Sequence, residues 1–254
     1  MKIAISGKGG VGKTTIMAML ANFFNQQGKD VLVIDADPSP HMAQSIGIDN
    51  VEAIVPIADM KEMLAERSGK TEGSPFYNLN PQVDDLLAQF TVEKDGIKLM
   101  VLGAIQAGDK GCACPESTVL KRMLTKLLLS PSQMVLLDME AGVEHLGRGT
   151  IAGVDRLLVV VIPAKSSIRT ALRVKQLAEE VGIKQIAFVG NLVRDPEDEA
   201  FLADGLGERP IACFPDAAGV RQTERAGLPV ISAAAEVAEA TQALAACLLP
   251  DLAG

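Results

Sequence analysis

Aromatic residues are scarce in this chain. Its 254 residues include no Trp, one Tyr and seven Phe, although 48% of them are hydrophobic. The core must therefore be filled by Ala, Val, Leu, Ile and Met, a composition that suits strands packed under helices. A chain of this length can bury such a core as one domain over residues 1–254, without disulfides or structural metal.

Basic runs and long apolar runs are lacking as well. The formal net charge is −8, and no run of Lys or Arg offers an electrostatic footprint for a nucleic-acid backbone. Nowhere do about 18 uncharged apolar residues occur together, and Met1-Lys2-Ile3 leads directly into a strand pattern, which leaves no room for a secretory signal. We therefore expect a cytoplasmic protein that binds neither nucleic acid nor membranes.

The hydrophobic pattern alternates between short buried strands and amphipathic helices. A strand at 2–6 and a helix at 13–27 open the chain, and Asp95-Gly96 is typical of a hairpin turn. Further strands are predicted at 31–35, 98–102, 134–138, 156–162, 185–189 and 211–214. This pattern predicts an α/β fold with a doubly wound, mainly parallel sheet flanked by helices, one antiparallel edge, and the irregular segment 49–82 as an insertion.

The most specific motif is a glycine-rich loop between the first strand and the first helix. It reads Gly7-Lys8-Gly9-Gly10-Val11-Gly12-Lys13-Thr14-Thr15. In a phosphate-binding loop (P-loop), glycines let backbone N–H groups close on a phosphate, a lysine contacts the β- and γ-phosphates, and a Ser or Thr binds Mg²⁺. These places are filled by Gly7, Gly12, Lys13 and Thr14. The motif predicts a nucleotide and Mg²⁺ as ligands.

Lys8 is a second lysine that one nucleotide site does not need. An exposed ammonium beside a triphosphate is explained if it neutralises phosphate charge elsewhere, and a facing copy of the chain would supply that charge. The loop therefore predicts a homodimer.

Two acids follow apolar strands and suit phosphoryl transfer, which needs charge neutralisation and a positioned water. Asp37 could orient the attacking water, although an acid at this place can also be a turn or cap residue. Asp138 ends a strand typical of those that bring a carboxylate to Mg²⁺; the alternative is a plain strand-end acid. Because carboxyl ends of parallel strands share one edge, we expect these acids, the loop and Asn191 to converge.

Cys112 and Cys114 form a close pair, whereas His41 and His145 are distant in sequence. Zinc and other thiophilic ions take four ligands, so the pair from each of two copies would complete a four-thiolate site. Pro115 suits the first position of a helix at 116–129, whose positive end favours a thiolate. The alternative is two packed loop thiols. We expect the other cysteines, Cys213 and Cys247, in the core.

The motifs resemble the deviant Walker A class of MinD, ParA and the nitrogenase iron protein. The resemblance implies that Lys8 reaches ATP in the partner protomer, that Asp37 is the catalytic switch I aspartate and that Asp138 opens switch II. It also implies that Asn191 contacts the base. The nucleotide loop would include Phe214-Pro215-Asp216, Val220-Arg221 and Gly227-Leu228-Pro229-Val230.

Within that class, two stretches resemble the CooC family. They are Cys112-Ala113-Cys114-Pro115-Glu116-Ser117 and the glycine-containing segment 138–149. The resemblance implies an ATPase that assists nickel insertion into carbon monoxide dehydrogenase and holds Ni²⁺ or Zn²⁺ on Cys112 and Cys114. With two histidines in the whole chain, transfer of single ions is expected rather than nickel storage.

Two other functions fit the same class. An electron-transfer ATPase like the nitrogenase iron protein would share an Fe–S cluster, but its cysteines come from separate loops. A MinD/ParA-like positioning ATPase needs a basic surface or a cationic amphipathic tail, whereas residues 233–249 carry two Glu and no Lys or Arg. Both functions are less consistent with the sequence than metal transfer.

Overall fold

The structure is a computed structural model that describes residues 1–37, 41–69, 78, 81–103, 115–129, 133–139 and 153–249. These residues contain a single eight-stranded sheet. Its strands are β1 Lys2–Gly7, β2 Val31–Ala36, β3 Thr91–Lys94, β4 Ile97–Val101, β5 Met134–Met139, β6 Arg156–Val161, β7 Ile186–Val193 and β8 Ala212–Pro215.

The strand order is β3-β4-β2-β5-β1-β6-β7-β8. Every neighbouring pair is parallel except β3 and β4, which are antiparallel. Asp95 and Gly96 join these two strands with φ of 50° and 88°, as a two-residue turn with two positive φ angles requires. The predicted mainly parallel sheet with one antiparallel edge is confirmed.

Helices cover both faces of the sheet. They are α1 Lys13–Gln26, α2 Met42–Ser45, α3 Lys61–Arg67, α4 Asp84–Gln89, α5 Pro115–Leu129, α6 Lys165–Val181, α7 Pro196–Leu206, α8 Ala218–Arg225 and α9 Ala238–Leu248, with 3₁₀ helices at Val51–Ala53, Ile57–Asp59 and Val230–Val237. The described part of segment 49–82 contains the first two 3₁₀ helices and α3.

Two hydrophobic layers enclose the sheet because successive strand side chains point to opposite faces. In β1, Ala4 belongs to the layer packed against α5 and α6, whereas Ile3 and Ile5 belong to the layer packed against α1 and α9. The sheet is therefore doubly wound, and its central strands are buried on both faces.

The chain changes direction around β1. The helix after β1 leads to β2 on one side, while β6 lies on the other side and β5 separates β1 from β2. A crevice forms at the carboxyl ends of strands where such a reversal occurs. The P-loop, Asp37, Asp138 and Asn191 all lie at this edge.

Strand β7 is longer than the sequence predicts. A strand was expected over residues 185–189, but β7 runs to Val193 and includes Asn191. Pairing with β8 continues past Gly190 through a register shift, so the polar Asn191 stays within the strand. Because the bulge keeps a polar residue inside the strand, a prediction from the apolar pattern alone ends the strand too early.

The segment Val230–Leu248 is the one stretch of the described residues that is long and apolar enough to cross a membrane by length and composition, with a mean hydropathy of 1.2. Its buried side chains include Val237, Leu244 and Leu248, which belong to the layer shared with α1. The segment therefore contributes to the core of this fold.

The expectation that Cys213 and Cys247 are core residues is wrong for Cys247, which is exposed. Cys213 is half-buried and packs against the hydrophobic core. Strand β8 lies at the end of the sheet, so Cys213 has neighbours on one edge only, and Cys247 lies beside the buried Leu248 on a helix whose apolar residues extend around its circumference.

Candidate nucleotide-binding site

The loop between β1 and α1 is shaped to hold a phosphate. Gly7 has a φ of 148° and Gly12 a φ of 88°, conformations that favour glycine. A Cβ on Gly7 would lie 2.6 Å from the carbonyl oxygen of Val160, so this position also lacks space for a side chain. Gly12 is the N-cap residue of α1 and, as a glycine, supplies no side-chain cap to the N–H groups of the helix. The N–H groups of the first helical turn can therefore bind a phosphate.

Thr14 brings the start of α1 against the end of β5. Its Oγ1 donates a 2.6 Å hydrogen bond to Oδ2 of Asp138. Asp138 is 1% exposed, and its Oδ1 has no hydrogen-bond partner among the residues that the structure describes. An unsatisfied buried carboxylate oxygen beside a hydroxyl is the oxygen donor set that Mg²⁺ prefers. Thr14 and Asp138 therefore fit the ion predicted for them.

The protonation of Asp138 is sensitive to its surroundings. Burial raises the pKa of Asp138 to about 7, and the negative charges of Asp35 and Asp37 add to this effect. The hydrogen bond from Thr14 and the positive charge of Lys13 act in the opposite direction. Because a divalent cation favours the ionised carboxylate, Mg²⁺ would compete with a proton for this side chain near neutral pH.

Asp35 is a site residue that sequence reasoning missed. It is fully buried and pairs in register with Asp138 on the neighbouring strand. Its carboxylate accepts hydrogen bonds from the backbone N–H of Asp37 at 3.2 Å and of Met42 at 3.0 Å. Burial raises the pKa of Asp35, against these two hydrogen bonds. Asp35 therefore holds the backbone of Asp37 in place. The sign of this role in the sequence is the position of Asp35 two residues before Asp37.

A cavity of about 480 Å³ opens beside the loop. Lys13, Thr14 and Asp37 line it, together with His41 and Glu224. Asp37 thus lies where an acid could orient a water at the phosphates, and its catalytic role stays a prediction. His41, for which the sequence motifs predict no role in nucleotide binding, is part of this wall.

Glu224 is a second missed residue. It lies on α8 and lines both this cavity and the neighbouring one. Its Oε1 accepts a 2.7 Å hydrogen bond from Thr15 Oγ1. The two residues are 209 positions apart in the chain, so no local pattern could have brought them together.

The second cavity, of about 190 Å³, lies on the other side of the loop and is mainly apolar. Asn191, Pro215 and Arg221 are among its lining residues. Asn191 is 8% exposed, and its Nδ2 donates a 2.8 Å hydrogen bond to the carbonyl oxygen of Val11. Asp216 is not among the described lining residues; its carboxylate accepts a hydrogen bond from Arg221.

These two cavities flank a P-loop on a doubly wound sheet, and the sequence matches a family with this site. The profile of the CobQ/CobB/MinD/ParA nucleotide binding domain covers residues 2–240. The chain belongs to this family. It is therefore a P-loop ATPase whose ligands are ATP, ADP and Mg²⁺.

Relatives within the family confirm the resemblance to CooC. The chain is 39% identical to the carbon monoxide dehydrogenase accessory protein CooC of Rhodospirillum rubrum, over 98% of this chain and 96% of that protein. It is 43% identical to an uncharacterized ATP-binding protein of Methanocaldococcus jannaschii, over 82% of this chain and 80% of that protein.

Solved structures of more distant proteins share the fold. The MinC:MinD cell division protein complex of Aquifex aeolicus contains a chain with a TM-score of 0.69 and 24% identity, covering 98% of this chain and 95% of that one. MinD of Pyrococcus horikoshii, solved with Mg-ADP, has a TM-score of 0.68 and 21% identity, covering 99% and 96%. At these identities the likeness shows the fold alone.

The extra lysine of the P-loop contacts a serine at the start of helix α6. Lys8 is exposed, and its Nζ donates a 3.0 Å hydrogen bond to Oγ of Ser166. Ser166 lies in the first turn of α6. Lys8 is not among the described residues that line either cavity, which agrees with its being surplus to the nucleotide site of its own chain.

The predicted metal ligands Cys112 and Cys114 lie outside the described residues. Helix α5 begins at Pro115, immediately after the pair, as the sequence predicts. The described residues contain no group of three or more His, Cys, Asp or Glu side chains that could hold a metal ion. The metal site on Cys112 and Cys114 thus stays a prediction.

Proposed function

We propose that this ATPase is an accessory protein in the maturation of carbon monoxide dehydrogenase, and that it binds Ni²⁺ or Zn²⁺ under the control of ATP and assists nickel insertion. The observation that carries the proposal is the 39% identity, along nearly the full length of both chains, to the accessory protein CooC. The metal, the dimer and the client enzyme are parts of the proposal.

The proposed metal ligands are Cys112 and Cys114. They directly precede α5, a helix of 15 residues, and the positive end of a helix favours the thiolate form of a nearby cysteine. Two thiolates leave a tetrahedral or planar ion half-coordinated, so a second copy of the chain would complete the site. Such a site exists only in the dimer.

The proposed dimer forms over ATP. Lys8 is exposed and held by the hydroxyl of Ser166, a weak contact that a triphosphate on a facing protomer could replace. Water oriented by Asp37 would then attack the γ-phosphate to give ADP and inorganic phosphate, while Mg²⁺ on Thr14 and Asp138 neutralises charge. Loss of the γ-phosphate would release Lys8 and open the shared metal site.

The test measures metal content and oligomeric mass with ADP and with a non-hydrolysable ATP analogue. We expect monomers without metal in ADP, and dimers with one Ni²⁺ or Zn²⁺ in the analogue. Cys112→Ser with Cys114→Ser should dimerise without metal, and Lys8→Ala should bind nucleotide and stay monomeric.

Cys213→Ser with Cys247→Ser is the matched control, because it removes the other two cysteines and should keep the metal. A Cys112/Cys114 variant that still binds one metal per dimer would contradict the proposed site. Equal metal affinity in both nucleotide states would contradict control by ATP, since a ligand shifts only an equilibrium that it distinguishes. Absorbance bands of an Fe–S cluster would favour electron transfer instead.

A further inference from the structure

We propose that His41 binds the phosphates of the nucleotide by donating an N–H of its imidazole ring to a non-bridging phosphate oxygen. The contact would form in the cavity of about 480 Å³ beside the P-loop, which we call the phosphate cavity. The inference rests on the chain being an ATPase of this family and does not depend on the proposed role in metal delivery.

His41 lies at the phosphate end of the site. It lines the phosphate cavity together with Lys13 and Thr14 of the P-loop, and it is absent from the described residues that line the second cavity. Burial raises the pKa of Asp35, and a positive charge on His41 is among the effects that oppose this rise. The imidazole therefore lies close to the buried acid that pairs in register with Asp138.

The backbone at His41 is held in place by hydrogen bonds on both sides. The N–H of the next residue, the fully buried Met42, donates to Oδ2 of Asp35 at 3.0 Å. The carbonyl oxygen of His41 accepts from the N–H of Ser45 at 3.1 Å and from its Oγ at 3.0 Å. The side chain itself is exposed, so a fixed backbone presents the imidazole to the cavity.

The described lining of the phosphate cavity contains more acids than bases. Asp37 and Glu224 contribute two carboxylates, whereas Lys13 is the one Lys or Arg among these residues. A diphosphate or triphosphate is itself anionic, so acids near it weaken its binding. His41 is the other described lining residue that can carry a positive charge, and a charge-assisted hydrogen bond from it would offset part of this repulsion.

The contact differs from that of Lys8 because it lies within one protomer. Lys8 would reach a phosphate in the partner protomer of the proposed dimer, whereas His41 lines the same cavity as Lys13. His41 should therefore strengthen the binding of ADP to the monomer. In steady-state turnover, replacing His41 should raise KM for ATP more than it lowers kcat, as expected for a contact made in both the ground state and the transition state.

The deciding experiment is a proton NMR titration of the wild-type chain. The chain contains two histidines, so the ring C–H resonances come from two side chains, and His41→Gln assigns them. ADP and pyrophosphate should both shift the His41 resonance, whereas adenosine, which has no phosphate, should leave it in place. A resonance that ADP does not move, or that adenosine moves as far as ADP does, would overturn the proposal. If His41→Gln does not fold, His145→Gln gives the same assignment.

Binding measurements test the strength of the contact. His41→Ala should weaken ADP binding by about tenfold and change adenosine binding by no more than about twofold. His41→Gln, which keeps an N–H donor but cannot carry a charge, should recover part of the lost ADP affinity. The matched control is Gln26→Ala, which removes an exposed side chain at the opposite end of α1 and should bind ADP as the wild-type chain does.

Two results of the binding measurements would overturn the proposal. Unchanged ADP affinity in His41→Ala would show that the imidazole does not contact the phosphates. An equal loss of adenosine affinity would show that the substitution distorts the whole site rather than removing a phosphate contact.

Discussion

The two ends of the nucleotide site are built in different ways. At the phosphate end, one contiguous loop supplies backbone N–H groups, Lys13 and Thr14, and the carboxyl groups of Asp35 and Asp138 are buried beside it. At the base end, β7, β8 and α8 supply a mainly apolar wall and one buried amide. Ionisable side chains are therefore concentrated beside the P-loop, whereas the second cavity offers a mainly apolar surface and one buried amide.

This contrast has a physical origin. A triphosphate carries several negative charges and needs fixed donors and a cation, all of which are close together in sequence around a P-loop. A base is flat and weakly polar, so its recognition depends on how distant segments pack. Substitutions at the phosphate end should then lower turnover strongly, whereas those at the base end should have smaller effects that depend on the nucleotide.

The largest effect is expected from Asp138→Asn. The substitution keeps the shape of the side chain but removes the negative charge that would hold Mg²⁺, so kcat for ATP should fall on the order of 10²- to 10³-fold. Nucleotide affinity measured without Mg²⁺ should change little. Steady-state ATPase assays and binding titrations in EDTA would measure the two quantities.

Asp155→Asn provides the control for this loss of charge. Asp155 lies at the opposite end of the sheet, where its Oδ2 accepts a 2.7 Å hydrogen bond from the N–H of Lys2. That variant should lose some stability and keep its kcat. Comparable losses of kcat in both variants would indicate a general effect on folding and would remove the distinction between the ends.

A smaller effect is expected on the pH dependence of stability. Folding raises the pKa of Asp138 from 3.8 to about 7, so the stability contributed by its protonated form is fully present below pH 3.8. It is lost as the pH rises through about 7. The raised pKa of Asp35 acts with the same sign.

The unfolding midpoint of the nucleotide-free protein should therefore fall by roughly 5 °C between pH 5 and pH 8. Asp138→Asn, which cannot ionise, should show a smaller fall. Mg²⁺ with ADP should flatten the wild-type curve, because the cation favours the ionised carboxylate. Thermal unfolding monitored by circular dichroism would test this, and parallel curves for the two proteins would disprove the role of Asp138.

The smallest effect is expected at the base end, from Asp216→Asn. Asp216 holds the partly exposed Arg221 at the rim of the base cavity, and such exposed ion pairs contribute at most about 1 kcal/mol. ADP affinity should weaken by no more than about fivefold, with kcat unchanged. Isothermal titration calorimetry would measure the change in ADP affinity. A loss of kcat as large as that of Asp138→Asn would contradict the contrast between the two ends.

The same contrast explains how much the sequence could predict. The P-loop, Asp138 and the converging strand ends follow from local motifs and from the general geometry of parallel sheets. The roles of Asp35 and Glu224 do not, because Asp35 has the appearance of an ordinary strand residue and Glu224 meets Thr15 only after folding. The extension of β7 past Asn191 was missed because a bulge interrupts the apolar pattern.

The position of β5 between β1 and β2 has a consequence for how the protein is made. The first two strands are joined by α1 and never pair with each other; each pairs with β5, about a hundred residues later in the chain. Until Asp138 has been synthesised, the growing chain lacks both the pairing of β1 and β2 with β5 and the hydrogen-bond partner of Thr14. Thr14 precedes Asp138 by 124 residues, so the P-loop reaches its native contacts only after strand β5 has been synthesised.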